Sequence, residues 1–227
     1  MIETASGLIL RTRPCTETSL VVHWLTAGFG RLATIAKGAR RPKSPFRGKL
    51  DLFYIADFSF SRSRCSELHT LGEVGLRETH NALRQELVYL QQASYCVELI
   101  EQTTETETPL PAIFELMDGL LHHLPAQPPQ PQTLFSFELK LLGELGLAPA
   151  LNKARLNQGT KRLVTAFTES DWPAVQRLRL SEAQKAELDE FLHGFLIYHL
   201  GKIPKGRHAA LCLLTAPDSR NQGQSVG

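Results

Sequence analysis

Cysteine is scarce in this chain of 227 residues: Cys15, Cys65, Cys96 and Cys212 are the only four, and no two stand at Cys-x-x-Cys spacing. That spacing argues against a zinc knuckle or a redox pair, and a disulfide framework is not expected in so long a chain with so few thiols. The four are read as isolated, small, buried apolar residues. Long hydrophobic runs are also missing. Every apolar stretch is cut by charge, Gly or Pro well short of the roughly 20 residues a bilayer requires, so no membrane association is expected. The first residues place Glu3 where a signal peptide needs basic charge and offer only Leu8-Ile9-Leu10 as an apolar core, so a cytoplasmic protein is expected.

Catalytic constellations are missing as well. There is no Gly-x-Ser-x-Gly and no phosphate-cradling loop; Gly28-Phe29-Gly30 is a lone turn. His122 and His123 are adjacent, so on a helix their side chains diverge and cannot share a metal as an i, i+4 pair would. His193 and His199 do not face each other, and His23 lies inside an apolar strand as a surface-side or satisfied histidine. Glu98, Glu101, Glu105 and Glu107 read as a solvated rim at a helix end. No cofactor, no metal and no enzymatic activity are expected, and a binding function is.

What the chain has is unevenly placed charge. The formal net charge of +2 comes from 25 Lys and Arg against 23 Asp and Glu. Residues 1–80 hold twelve bases and seven acids (+5), residues 81–149 two bases and nine acids (−7), and residues 150–227 eleven bases and seven acids (+4). Between Arg31 and Lys49 lie seven bases and no acid: Arg31, Lys37, Arg40, Arg41, Lys43, Arg47 and Lys49. Pro42, Pro45 and Gly48 make most of this stretch a mobile loop, leaving its cations unpaired and suited to a phosphate backbone. The −7 segment is a poor surface for nucleic acid, so it should face away or meet a basic partner.

Hydrophobic content of 42% and charged content of 21% fit a globular chain. Residues 7–13, 19–26, 31–37, 50–60 and 66–74 read as five strands with no helix between them, which suggests a small closed barrel of the OB type. From Asn81 the period becomes helical: one long helix to about Glu101, a second opened by Pro109 and Pro111, a proline linker at 125–131, and a third over 134–145 stopped by Gly146. Residues 148–180 read as irregular, with a short strand at 162–167. A last helix starts after Ser181, with Gln184 in the capping-box position, and runs to about Leu200. The expected class is α+β: a barrel domain over 1–80 and a mainly α-helical domain over 81–227.

Several blocks together resemble a known family. Cys15-Thr16-Glu17-Thr18-Ser19-Leu20, Gly28-Phe29-Gly30-Arg31-Leu32 and Ala36-Lys37-Gly38-Ala39-Arg40-Arg41 are similar to the N-terminal barrel of the RecO family of bacterial recombination mediators. The segment from Phe135 to Leu147 resembles that family's Leu-Gly helix, and Tyr198 to Arg207 its basic C-terminal end. The resemblance implies DNA repair and homologous recombination in the RecF pathway. It implies binding of single- and double-stranded DNA, annealing of complementary strands, and help in loading recombinase onto DNA coated by single-strand-binding protein. The implied partners are RecR and the acidic C-terminal tail of that binding protein, and the implied location is the nucleoid. Lys37, Arg40 and Arg41 match the family's basic segment, and Lys202, Lys205 and Arg207 its basic end. Many relatives carry a four-cysteine zinc module after the Leu-Gly helix; here Leu147 to Gly159 holds no cysteine.

On this reading DNA meets Arg11 and Arg13, which share one face of the first strand, together with the Arg31–Lys49 cluster and the basic end. Phe29, Phe46 or Tyr54 could stack on bases, although the rings of 53–60 are expected in the barrel core. The acidic tail would approach Lys140, Lys153 or Arg155 beside an apolar helix groove. The alternatives are an OB-type RNA- or ribosome-associated factor and an enzyme with an unrecognised helical active site.

Overall fold

A computed structural model describes residues 2–212, less the side chain of Cys212. Five strands, β1 (Ile2–Pro14), β2 (Leu20–Thr26), β3 (Gly30–Ala36), β4 (Ile55–Ser61) and β5 (Leu68–Glu78), close into a barrel in the order β1-β2-β3-β5-β4. Closure comes from a short parallel ladder, Ala33 with Leu68 through Ile35 with Thr70, while the other four pairings are antiparallel. This is the expected OB-type barrel. The strand bounds differ in three places: β1 begins at Ile2, β5 runs on to Glu78, and residues 50–54 form turns ahead of β4. The interior is aromatic. Trp24 stacks on Phe58 with ring centroids 4.1 Å apart, and its indole N–H donates to Thr34 Oγ1 at 2.8 Å, so the buried polar atom is satisfied.

Side chains alternate across a strand, so one run can serve two cores. Ile9 points into the barrel with Trp24 and Phe58, while Leu8, Leu10 and Leu25 pack outward against Tyr89, Ala93, Ile100 and Ile113 of the helices. That double burial explains the uninterrupted apolar triplet Leu8-Ile9-Leu10.

Among the described residues seven α-helices follow: α1 (Leu87–Thr103), α2 (Pro111–His123), α3 (Pro131–Glu144), α4 (Gln158–Glu169), α5 (Trp172–Arg177), α6 (Glu182–Leu200) and α7 (Gly206–Cys212). Among the described residues, no helix is long and apolar enough to cross a membrane. The expected first helix is divided: a short 3-10 turn at Asn81–Gln85 precedes α1. Two boundaries match the sequence signals. Gly146 takes a left-handed φ of 71° while Leu147 N donates back to the Leu142 carbonyl at 2.8 Å, and Ser181 and Gln184 complete both halves of the capping box on α6.

The region expected to be irregular is largely helical. Asn157 accepts from Thr160 N at 2.8 Å and Asp171 from Ala174 N at 2.9 Å, so two Asx caps open α4 and α5. The strand expected at 162–167 lies inside α4, whose Thr160, Val164 and Phe167 are buried at helical spacing. The thiols also depart from expectation: Cys96 is buried, with its pKa driven up by desolvation, but Cys15 and Cys65 are exposed. The side chain of Cys212 lies outside the described residues.

Among the described residues, the helical core holds an ionic centre. Glu138, fully buried on α3, receives the Arg207 guanidinium of α7 through Nε at 2.7 Å and Nη2 at 3.1 Å. It also accepts the Tyr95 hydroxyl of α1 at 2.5 Å, and Arg207 Nη1 donates to Asp189 of α6 at 2.6 Å. Burial alone would lower the Arg207 pKa, but the Glu138 charge and the hydrogen bonds of Glu138 and Asp189 hold it above the ordinary arginine value. Removing one member strands the other charge in the core. Arg207→Met should therefore cost about 3–5 kcal/mol of unfolding free energy, and pairing it with Glu138→Leu should restore most of the loss. Urea denaturation of the two single variants and the double checks this; a double variant no more stable than Arg207→Met would contradict it.

Candidate nucleic-acid interface

The barrel's register brings basic residues to one end. Val21 pairs with both Arg13 and Ile35, and Leu20 with both Pro14 and Ala36, so Arg13 and the start of the β3–β4 loop flank the same end of β2. That loop begins at Lys37 and is built from successive turns: Arg41 N donates to the Gly38 carbonyl, Ser44 N to Arg41, Arg47 N to Ser44 and Lys49 N to Phe46. Phe46, 8% exposed, inserts into the barrel interior beside Trp24 and Phe58. The stretch expected to be a mobile loop is thus anchored at its centre. It is also tied to the β1–β2 loop, since Arg40 N donates to the Thr18 carbonyl and Arg40 Nη1 to the Thr16 carbonyl, both at 3.0 Å.

Arg13, Lys37, Arg40, Arg41, Lys43 and Arg47 are all exposed at this end. None of the six has a carboxylate partner among the described residues. Lys49 is half-buried and its ammonium donates to the Val74 carbonyl at 3.0 Å, so it closes the loop against β5. A second basic group lies where barrel and helices meet. Arg11, ion-paired with Glu101, lines a cleft of about 510 Å³ together with Lys202 and Lys205, with Glu98 on the same wall. The two C-terminal lysines are therefore beside the first strand although they are remote from it in sequence.

Two of the expected DNA contacts turn inward. Arg207 is the buried partner of Glu138, 5% exposed, and has no face to offer a phosphate. Arg31 is half-buried against the turn after α1, where its Nε donates to Thr104 Oγ1 at 2.8 Å and its Nη2 to the Thr104 carbonyl. Burial lowers its pKa, with Glu101 and Glu105 opposing. The chain after α1 is moored on this strand: Glu107 N donates to the Arg31 carbonyl and Leu110 N to that of Ala27. Gly30 permits the approach, for a Cβ there would sit 1.7 Å from the Thr108 oxygen.

Three of the nine acids in the −7 segment meet arginines inside the same chain. Glu101 pairs with Arg11, Glu107 with Arg62 at 2.5 Å, and Glu138 with Arg207. No pattern in the sequence announces such pairs, which join residues 45 to 90 positions apart. A trough of about 520 Å³ on the barrel is lined by Asp57 and Glu73, and Arg77 at its edge pairs with Asp57 at 3.3 Å, so its charge is balanced where the cationic end's is not. The aromatic candidates are occupied too: Phe46 is core, Phe29 packs edge-on against Phe60 beneath Arg62, and Tyr54 lies under Arg84.

The three cations assigned to an acidic tail do not converge. Lys140 caps the C-terminal end of α4, donating to the Thr168 carbonyl at 2.9 Å and that of Ser170 at 2.7 Å. The shallow groove beside it contains Glu115 and Glu144 but neither Lys153 nor Arg155, both of which are exposed.

Comparison with known proteins fits this arrangement. The family model for recombination protein O N terminal matches residues 1–80, and that for recombination protein O C terminal matches residues 84–154. The chain is 34% identical to a DNA repair protein RecO of Exiguobacterium sibiricum over 153 residues, which is 67% of this chain and 60% of that protein. With the protein of the same name from Salinibacter ruber it shares 27% over 223 residues, 85% and 86% of the two chains. With that of Alkaliphilus metalliredigens it shares 25% over 237 residues, 89% and 96%.

The inward and outward cations should separate experimentally. Arg31→Ala removes donors to Thr104 and is expected to cost about 1–3 kcal/mol of stability while leaving the salt dependence of DNA binding unchanged. Arg41→Ala should leave the unfolding midpoint nearly unmoved and make the slope of log affinity against log salt shallower by about 0.7 on single strands. Denaturation and anisotropy titrations on both variants check the contrast.

Proposed function

The chain belongs to the recombination protein O family, and on that premise we propose that it serves DNA repair by binding DNA backbones at the cationic end of its barrel. The observation that carries this is the cluster of Arg13, Lys37, Arg40, Arg41, Lys43 and Arg47, exposed together on turns anchored by Phe46. Six like charges held at one end are a surface for phosphates, because each contact releases condensed counterions. Phosphate contacts carry no sequence information, so binding through this surface should be indifferent to sequence.

Annealing follows from the same electrostatics. Two strands repel through their phosphates, and a dense cationic end that neutralises parts of both lowers the barrier to their meeting. Arg11, Lys202 and Lys205 extend the basic surface toward the helices, with Glu98 and Glu101 weakening it there. The loading of recombinase, the pairing with RecR and the contact with the acidic tail of single-strand-binding protein rest on family membership. For the tail, Lys153 and Arg155 are the exposed cations, and Lys140 is already engaged.

The test is single-stranded DNA binding at several salt concentrations with Lys37, Arg41, Lys43 and Arg47 changed together to Gln. The salt slope should become shallower by up to about 0.7 for each lost phosphate contact, and annealing of complementary oligonucleotides should slow. Circular dichroism should be unchanged, since these side chains hold no part of the barrel. An unaltered slope and affinity would refute the interface. Structured RNA displacing the oligonucleotide would favour the RNA-associated reading.

A further inference from the structure

Three potential ligands meet where the barrel hands over to the helices. Glu78 ends β5, His80 follows it with a left-handed backbone at φ 45°, and His122 lies in the last turn of α2. Their ligand atoms all lie within 4.8 Å of one another. The His80 side chain is 2% exposed.

The tautomers are fixed by the backbone. His80 Nδ1 lies 2.7 Å from the Phe53 carbonyl, and His122 Nδ1 lies 2.9 Å from the Asp118 carbonyl. A carbonyl oxygen only accepts, so each Nδ1 carries a proton and each neutral ring turns an Nε2 lone pair to the shared space. His122 Nε2 is 3.0 Å from Glu78 Oε1, and His80 Nε2 is 3.6 Å from the same oxygen. His80 Nε2 and the nearby Asp118 Oδ1 are both buried with no hydrogen-bond partner. With both rings neutral, lone pairs and carboxylate oxygens converge here; a proton on His122 Nε2 would satisfy only the 3.0 Å contact with Glu78 and would still leave His80 Nε2 and Asp118 Oδ1 unpartnered.

A proton on His80 Nε2 does not resolve this. Its nearest acceptors, Glu78 Oε1 at 3.6 Å and Asp118 Oδ1 at 3.9 Å, are beyond hydrogen-bonding reach. A metal ion needs such separations: ligands about 2.0–2.1 Å from a tetrahedral centre are about 3.3 Å from each other. Histidines that ligate through Nε2 commonly have Nδ1–H held by a carbonyl, as both are here. Two imidazoles and a carboxylate suit zinc better than magnesium or calcium, which take oxygen. Glu78 and His122 are about half exposed and open the site to solvent.

We propose that Glu78 Oε1, His80 Nε2 and His122 Nε2 bind a zinc ion, with Asp118 Oδ1 beside the fourth position, and that the ion joins the end of β5 to α2. The adjacency of His122 and His123 hides this, because the partner of His122 is remote in sequence. His123 turns the other way and stacks on Trp172.

The test uses the full, tag-free, metal-stripped chain titrated with zinc chloride against a chromophoric chelator. A single equivalent should bind, and zinc should raise the thermal unfolding midpoint. His122→Ala and Glu78→Gln, at half-exposed positions that leave the fold intact, should weaken zinc binding about tenfold or more and remove the stabilisation. Cys15→Ser with Cys65→Ser, which removes the exposed thiols, should change neither result. No binding by the parent chain, or undiminished binding in both His122→Ala and Glu78→Gln, would overturn the site.

Discussion

The guanidinium of Arg207 lies in a two-pronged contact with the fully buried carboxylate of Glu138, and the helical domain is arranged around that contact. Tyr95, Glu138, Asp189 and Arg207 come from α1, α3, α6 and α7, so one charge pair touches four of the seven helices. Such a pair contributes little net stability over an apolar substitute, since desolvating two ions consumes most of their attraction. Its force lies in the penalty for error: any packing that separates the partners leaves an ion in a dry core. The pair also withdraws from the surface a cation that the basic run Lys202 to Arg207, read by sequence, offers outward.

A second constraint joins barrel to helices. Gly30 lets the Thr108 backbone close on the β2–β3 turn, Arg31 grips Thr104, and Leu8, Leu10 and Leu25 send apolar side chains into the helical core. Acidic residues after Asn81 then neutralise the barrel's arginines at the junction, leaving unopposed charge at the opposite end of β2. The division between paired and free cations is therefore a product of docking, and it decides which arginines stay available to an anionic partner.

The barrel was legible because its signals are local: five β-rich runs, short turns and no intervening helix leave few topologies. The capping box at Ser181 and the glycine stop at Gly146 were legible for the same reason. The segment 148–180 was not, because Asn, Gly and Thr lower helix propensity and mask the Asx caps at Asn157 and Asp171. Within the candidate site, sequence marked the basic loop but could not sort its cations. Arg31 and Lys37 look alike in a string of bases; only Thr104, 73 residues away from Arg31, distinguishes them. The cluster at Glu78, His80 and His122 shows the same limit, since no spacing rule links β5 to α2.

Phe46 gives the basic loop a property that a free loop would lack. Because its ring is part of the barrel core, the like charges around it are gathered when the barrel forms, before any DNA arrives. Their mutual repulsion is then a strain on the folded state and not a cost of binding. Added salt, by screening that repulsion, would firm the barrel while loosening its hold on DNA, so that fold and ligand respond to ionic strength with opposite signs. A barrel of this kind would be most tightly folded under the conditions in which it lets its strand go.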